Sequence, residues 1–176
     1  MSSEAILGAL THYDRLPVDA IRAADADRAT MLPVFLETIE RYIAQAPDER
    51  ERPNPLFFIF NILGSWREKA AYRPLARLLL CERDNRTAVG EAAVETSHRV
   101  MAAVFGGDPE PLYRIILDPD VDEFIRSRMC QAVAIVVLRG ELPRSEAARF
   151  LASTHWSRKR IASSGSAGTR PSPCSA

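Results

Sequence analysis

The residues best equipped for chemistry lie in one short stretch, Trp66-Arg67-Glu68-Lys69, followed closely by Tyr72 and Arg73. A guanidinium on such a turn can grip a carboxylate or a phosphate through two parallel hydrogen bonds. The plainer alternative is structural: Trp66 and Tyr72 wedge two helices together, and Glu68 pairs with an arginine across the turn, since exposed ion pairs are common and weak. A second group, Glu91, Glu95, His98 and Arg99, falls on one predicted helix, where Glu95 and Arg99 stand four apart as an ion pair. A metal there would need His98 and Glu95 to converge with a ligand from elsewhere, so a solvated helix face is the simpler reading. Trp66, Arg67, Glu68, Tyr72, Arg73, Glu95 and Arg99 are the candidate binding residues. No residue is given a catalytic or metal-binding role, and no cofactor is expected.

Other suggestive patterns dissolve on inspection. Asp118-Pro119-Asp120-Val121-Asp122 imitates the opening of a calcium loop, but Glu123 stands where the loop needs glycine and Met129 where a closing glutamate belongs. Helix capping accounts for these aspartates. His12, His98 and His155 are too scattered to form a triad, and the sequence contains no Gly-x-Ser-x-Gly, His-Glu-x-x-His or phosphate-cradling glycine loop. Arg126 and Arg128 point to different helix faces, and Cys81 and Cys130 lie on apolar stripes where an inert buried thiol is expected.

The elements that must position these residues are helices. Leu56–Leu63 is apolar except at Asn61, so a helix there must be enclosed on nearly all sides. Asn54 and Pro55 form its start signal, and a second block restarts at Pro74, which leaves Trp66–Arg73 as the corner between two helices. A stripe of Leu32, Phe35, Leu36, Ile39, Tyr42 and Ile43 predicts a helix from about Ala29 to Ala44. Further helices are predicted at Ser3–Thr11 (capped by Ser2 or Ser3), after Pro17, at Thr87–Phe105, after Pro109, at Glu123–Arg139 (capped by Asp120 or Asp122, closed by Gly140), and after Pro143. No pattern of period two occurs.

The helices also repeat. A shift of 37 residues sets Arg73–Leu80 on Glu110–Leu117, aligning Pro74 with Pro111 and Arg77 with Arg114; a further 35 sets Arg114 on Arg149. Each short helix follows a longer, more apolar one, the mark of stacked hairpins that bury one another's faces. The expected fold is all-α, a short right-handed α-solenoid of HEAT-like helical hairpins over residues 1–152, with a disordered tail over 153–176 that is rich in Ser, Gly and Pro and has no acidic residue.

Composition narrows the function. The three cysteines are odd in number and far apart, the chain does not open on a secretory signal, and no run reaches the roughly 20 apolar residues of a membrane span. A cytoplasmic protein without membrane attachment is therefore expected. All 23 acidic residues lie at or before Glu146 while four of the 23 basic ones follow Ala152, so residues 1–152 carry a net charge of −4. That is a poor phosphate-binding surface.

Three segments, LFFIFNILGSWREKAAYRPLARLLL, HRVMAAVFGGDPEPLYRIILDPDVDEFIRSRMCQAVA and LRGELPRSEAARFL, resemble the bacterial family catalogued as domain of unknown function 1186, over about residues 4–152. The resemblance implies an all-helical, repeat-like protein with no assigned activity. Some relatives carry a cysteine-rich metal motif at the carboxyl end, which is absent here, and from Ser153 this chain departs from the family's expected acidic and aromatic helices. The function expected is a non-enzymatic scaffold that binds another protein, with self-association through an uncapped last hairpin as a further expectation. The alternative is a nucleic-acid-binding HEAT-like protein akin to DNA-repair glycosylases, which 21 arginines against two lysines favour and the acidic body opposes.

Overall fold

The structure is a computed structural model describing residues 1–161 apart from 13, 47–48, 51–52 and 82–87, with backbone helix alone given over 154–161. The described residues form ten α-helices and one 3-10 turn, with no strand. These are α1 (Ser3–Thr11), α2 (Val18–Ala26), α3 (Arg28–Ala44), α4 (Leu56–Trp66), α5 (Tyr72–Leu80), α6 (Ala92–Glu95), α7 (Ser97–Ala103), α8 (Glu110–Leu117), α9 (Glu123–Leu138) and α10 (Arg144–Ile161).

Local chemistry sets the helix ends much as the sequence predicts. The Ser2 hydroxyl accepts the Ala5 amide at 3.2 Å, Asn54 Oδ1 accepts the Leu56 amide at 3.0 Å, and Asp122 Oδ1 accepts the Phe124 amide at 2.8 Å. Each satisfies an orphan donor of a first turn, a contribution of about 1 kcal/mol. Gly140 closes α9 at φ 73°, with its amide on the Val137 carbonyl and the next amide on that of Val136.

The helices stack in two rows. α3, α5 and α8 pack side by side in one, and α4, α7 and α9 in the other, with α10 against α9. Hydrophobic contact between the rows forms one continuous core in which Phe35, Phe60, Phe105 and Leu63 are fully buried. Long-range side-chain hydrogen bonds follow the period of the sequence. Arg77 bonds Glu40 at 2.7 Å, 37 residues away; Thr96 bonds Asn61 at 3.1 Å, 35 away; Tyr72 bonds the Asp108 carbonyl at 2.9 Å, 36 away; Arg139 bonds the Ala102 carbonyl at 2.9 Å, 37 away. Arg128 likewise donates to the Val94 carbonyl. Neighbouring units are thus tied at a spacing compatible with stacked hairpins.

Four details depart from expectation. The corner after α4 is shorter: Arg67 alone turns left-handed, a 3-10 turn follows at Lys69–Ala71, and α5 begins at Tyr72, because Pro74 fits the first helical turn where its missing N–H costs nothing. The helix expected over Thr87–Phe105 is broken at Thr96. There the Thr96 and Ser97 hydroxyls bond back to the carbonyls of Ala92 and Ala93, in competition with regular backbone pairing. α10 runs to Ile161, past the expected end of order at Ser153, since STHWSRKRI contains no helix breaker. The rest of the expected disordered tail, 162–176, lies outside the described residues. Finally, Cys81 is disulfide-bonded, which replaces the inert thiol expected there, while Cys130 is half-buried. No helix among the described residues is long and apolar enough to cross a membrane.

Arg67 is, among the described residues, the one non-glycine at positive φ, 54°. It holds the left-handed cap of α4, with its amide on the Gly64 carbonyl at 3.1 Å and the Glu68 amide on that of Leu63 at 3.2 Å. A Cβ in this conformation costs about 1–2 kcal/mol, against which glycine loses about 0.5–1 kcal/mol in unfolded-chain entropy. Arg67→Gly is therefore expected to raise stability by about 0.5–1 kcal/mol, read as a higher urea midpoint at unchanged slope.

Candidate functional site

The cleft that the fold builds lies beside α4. An apolar helix with a closed face and one open face makes its floor: Leu56, Ile59, Phe60 and Leu63 are buried in the core, while Phe57, Asn61 and Ser65, four apart, look outward. One wall is α6 with its flanks, Glu91, Ala92, Glu95 and Thr96; the other is α2 and the loop before it, Leu16, Ile21 and Asp25. Together with Phe58, Ile62 and Trp66 they enclose about 340 Å³, near the lower end of the range for ligand sites.

Trp66 forms the end wall and is fixed from several directions. Its ring stacks on Phe35 (centroids 5.6 Å apart, planes 22° apart), the Arg28 guanidinium sits 5.3 Å from its centroid, and its indole N–H donates to Asp25 Oδ1 at 2.5 Å. Asp25 also pairs with Arg28 at 3.4 Å, so its charge is matched. Asn61, the single polar side chain of the apolar run, is used up as well: its amide donates to the Phe57 carbonyl at 2.8 Å and its oxygen accepts the Thr96 hydroxyl at 3.1 Å. Glu91 and Glu95 differ. Both are exposed on the rim, and neither has an ion-pair partner among the described residues.

Of the residues singled out from sequence, Trp66 and Glu95 meet in this cleft and the others do not. Arg67 is the exposed cap of α4. Glu68 accepts the Ala70 amide at 3.1 Å and so caps the 3-10 turn instead of pairing with an arginine. Tyr72 is 2% exposed, its ring edge-on to Phe105 at 5.4 Å. It is the wedge of the plainer alternative, with its hydroxyl pushed above the usual tyrosine range by burial first and then by the Asp108 carboxylate. Arg73 pairs with Asp108 at 2.6 Å on the surface. Arg99 stands on α7 beyond the break at Thr96, so the Glu95–Arg99 pair does not form. His98 is biased toward the neutral imidazole by burial and then by the Arg128 and Arg99 charges. No cluster of metal-ligating side chains occurs among the described residues. Reading the sequence missed Phe57, Ile62, Asp25 and Leu16; the one available signal was Asn61, a polar residue where the enclosed helix had no need of one.

These features define an all-helical protein with an apolar, acid-rimmed cleft between its first hairpins. The chain belongs to the family described as "Protein of unknown function (DUF1186)", whose model matches residues 1–161 and so reaches the end of α10, beyond the limit near residue 152 expected from the resemblance. Neither a curated protein nor a solved structure matches the chain.

Proposed function

We propose that the protein is a non-enzymatic scaffold of HEAT-like helical repeats that binds a segment of another protein, and that the binding site is the cleft beside α4. The observation that carries this reading is the division of labour inside it. Asp25, Asn61 and Thr96 are occupied by hydrogen bonds within the fold, so what the cleft offers a visitor is apolar surface, the Ser65 hydroxyl and two rim carboxylates. That is recognition chemistry: an anchor side chain buried by Phe57, Ile62 and Trp66, with charge at the edge to choose among partners. An acidic rim repels a phosphate backbone, which favours this reading over nucleic-acid binding.

Selection of random displayed peptides on the intact chain tests the proposal. Ser65 is exposed and points from α4 into the cleft, so Ser65→Trp fills the site at little cost to folding. Selected peptides should bind the native chain and lose about tenfold or more in affinity on Ser65→Trp, with circular dichroism unchanged. Peptides that bind the variant equally well would place recognition elsewhere.

A further inference from the structure

Resting on that reading of the cleft, we infer the chemistry of its partner: a segment presenting a large apolar side chain beside one or more arginines or lysines, an apolar and cationic peptide.

Among the described residues the cleft is lined by three carboxylates, Asp25, Glu91 and Glu95, and by no cationic side chain. Arg28 neutralises Asp25 from outside the lining, while Glu91 and Glu95 are left without a cation among the described residues. The two stand at either end of α6, so their charges lie along one wall about a helical turn apart. The opposite lip is apolar: Leu16 is 64% exposed, and it continues the apolar floor out to solvent. With Leu16 the apolar surface of the cleft runs out to solvent, where an apolar occupant can cover it. An occupant that satisfies both sides must bring apolar area to Leu16, Ile62 and Trp66 and positive charge to Glu91 and Glu95. Acidic and neutral apolar segments satisfy only one. The polypeptide source is favoured because the apolar surface runs from the cleft over the Leu16 lip, more than a compact ammonium ion would cover.

Three series of fluorescein-labelled twelve-residue peptides, composed of leucine with arginine, leucine with glutamine or leucine with glutamate, test it by fluorescence anisotropy on the intact chain. The arginine series should bind about tenfold more tightly than the glutamine series, two exposed ion pairs being worth about that factor, and the glutamate series more weakly still. The advantage should collapse in the double variant Glu91→Gln, Glu95→Gln and on raising salt from about 50 to about 500 mM, where screening is strong. Equal binding of the arginine and glutamine series, with both lost on Ser65→Trp, would overturn the partner class while leaving the cleft as the site. Binding indifferent to Ser65→Trp would overturn the cleft itself. Octylammonium competing as effectively as the arginine peptide would overturn the polypeptide source, with the site then one for a small hydrophobic cation.

Discussion

Tyr72→Ala should lower stability by about 3–5 kcal/mol, the range for deleting a fully packed aromatic ring. The ring lies edge-on to Phe105, and a Cβ on Gly106 would come within 3.1 Å of its Cδ1, so the backbone of the α7–α8 turn rests directly on it. Tyr72→Phe separates the ring from the hydroxyl. It keeps the packing and removes the hydroxyl with its bond to the Asp108 carbonyl at 2.9 Å, at a cost of about 1 kcal/mol. The two variants also separate a structural tyrosine from a binding one: peptide affinity should be unchanged in Tyr72→Phe, and a loss of binding without a loss of stability would return Tyr72 to the binding surface.

The hydroxyl adds a pH signature. Burial and the Asp108 carboxylate raise the folded pKa of Tyr72 above its unfolded value of about 10. A raised value means that the stabilisation is complete below pH ~10, where both states hold the proton, and is lost above it as the unfolded chain releases its proton first. Urea midpoints should therefore fall more steeply between pH ~10 and ~12 for the native chain than for Tyr72→Phe. Tyr113, raised by burial and by Glu146, leaves a residual slope in both. Parallel curves would show that the Tyr72 hydroxyl is not held as described.

The pattern of what the sequence reveals follows from how local each cause is. Asp122, Ser2 and Gly140 act within three or four residues of their own position, and all three do what their types and places predict, while Asn54 takes the Leu56 amide from one residue before the cap position, which Pro55 holds. The all-round apolarity of α4 demands enclosure, and the period of the Pro74 and Pro111 helices reappears in bonds joining residues 34 to 37 apart. The site is different because its parts come from three stretches. Trp66 meets Asp25, 41 residues earlier and outside the repeat spacing, and Asn61 meets Thr96, 35 later, at that spacing but as residue types that the repeated segments do not single out. The dense polar turn after α4 looks like a binding edge because aromatic and charged residues crowd it. Glu68, Tyr72 and Arg73 are each taken by capping, wedging or pairing, and side-chain type alone does not distinguish a satisfied group from an available one. The Glu95–Arg99 pair fails for a related reason: the i,i+4 rule assumes an unbroken helix, and Thr96 breaks it.

Gly64→Ala should destabilise the protein although it puts the best helix former into the interior of a helix. On an open helix the change would stabilise by about 1 kcal/mol. In α4, the added Cβ would lie 2.8 Å from Val100 Cγ2 and 2.9 Å from Cγ1, so α4 and α7 touch with no room for one further carbon. Val100 cannot swing aside, because branching at Cβ leaves it one favoured rotamer in a helix and it is buried against α4. The helices must then separate, and overpacking of this kind costs about 1–3 kcal/mol, more than the propensity gain returns. The consequence extends to the cleft, since α4 carries its floor and α6, joined to α7 at Thr96, carries its acidic wall. Peptide affinity should fall along with the urea midpoint. Val100→Ala supplies the control: it leaves space where Gly64→Ala needs it, so the double variant should be more stable than the sum of the single changes by about 1 kcal/mol or more. Simple additivity would mean that the spacing between α4 and α7 is set somewhere other than at this glycine, and the cleft walls would then owe their separation to the Asn61–Thr96 bond instead.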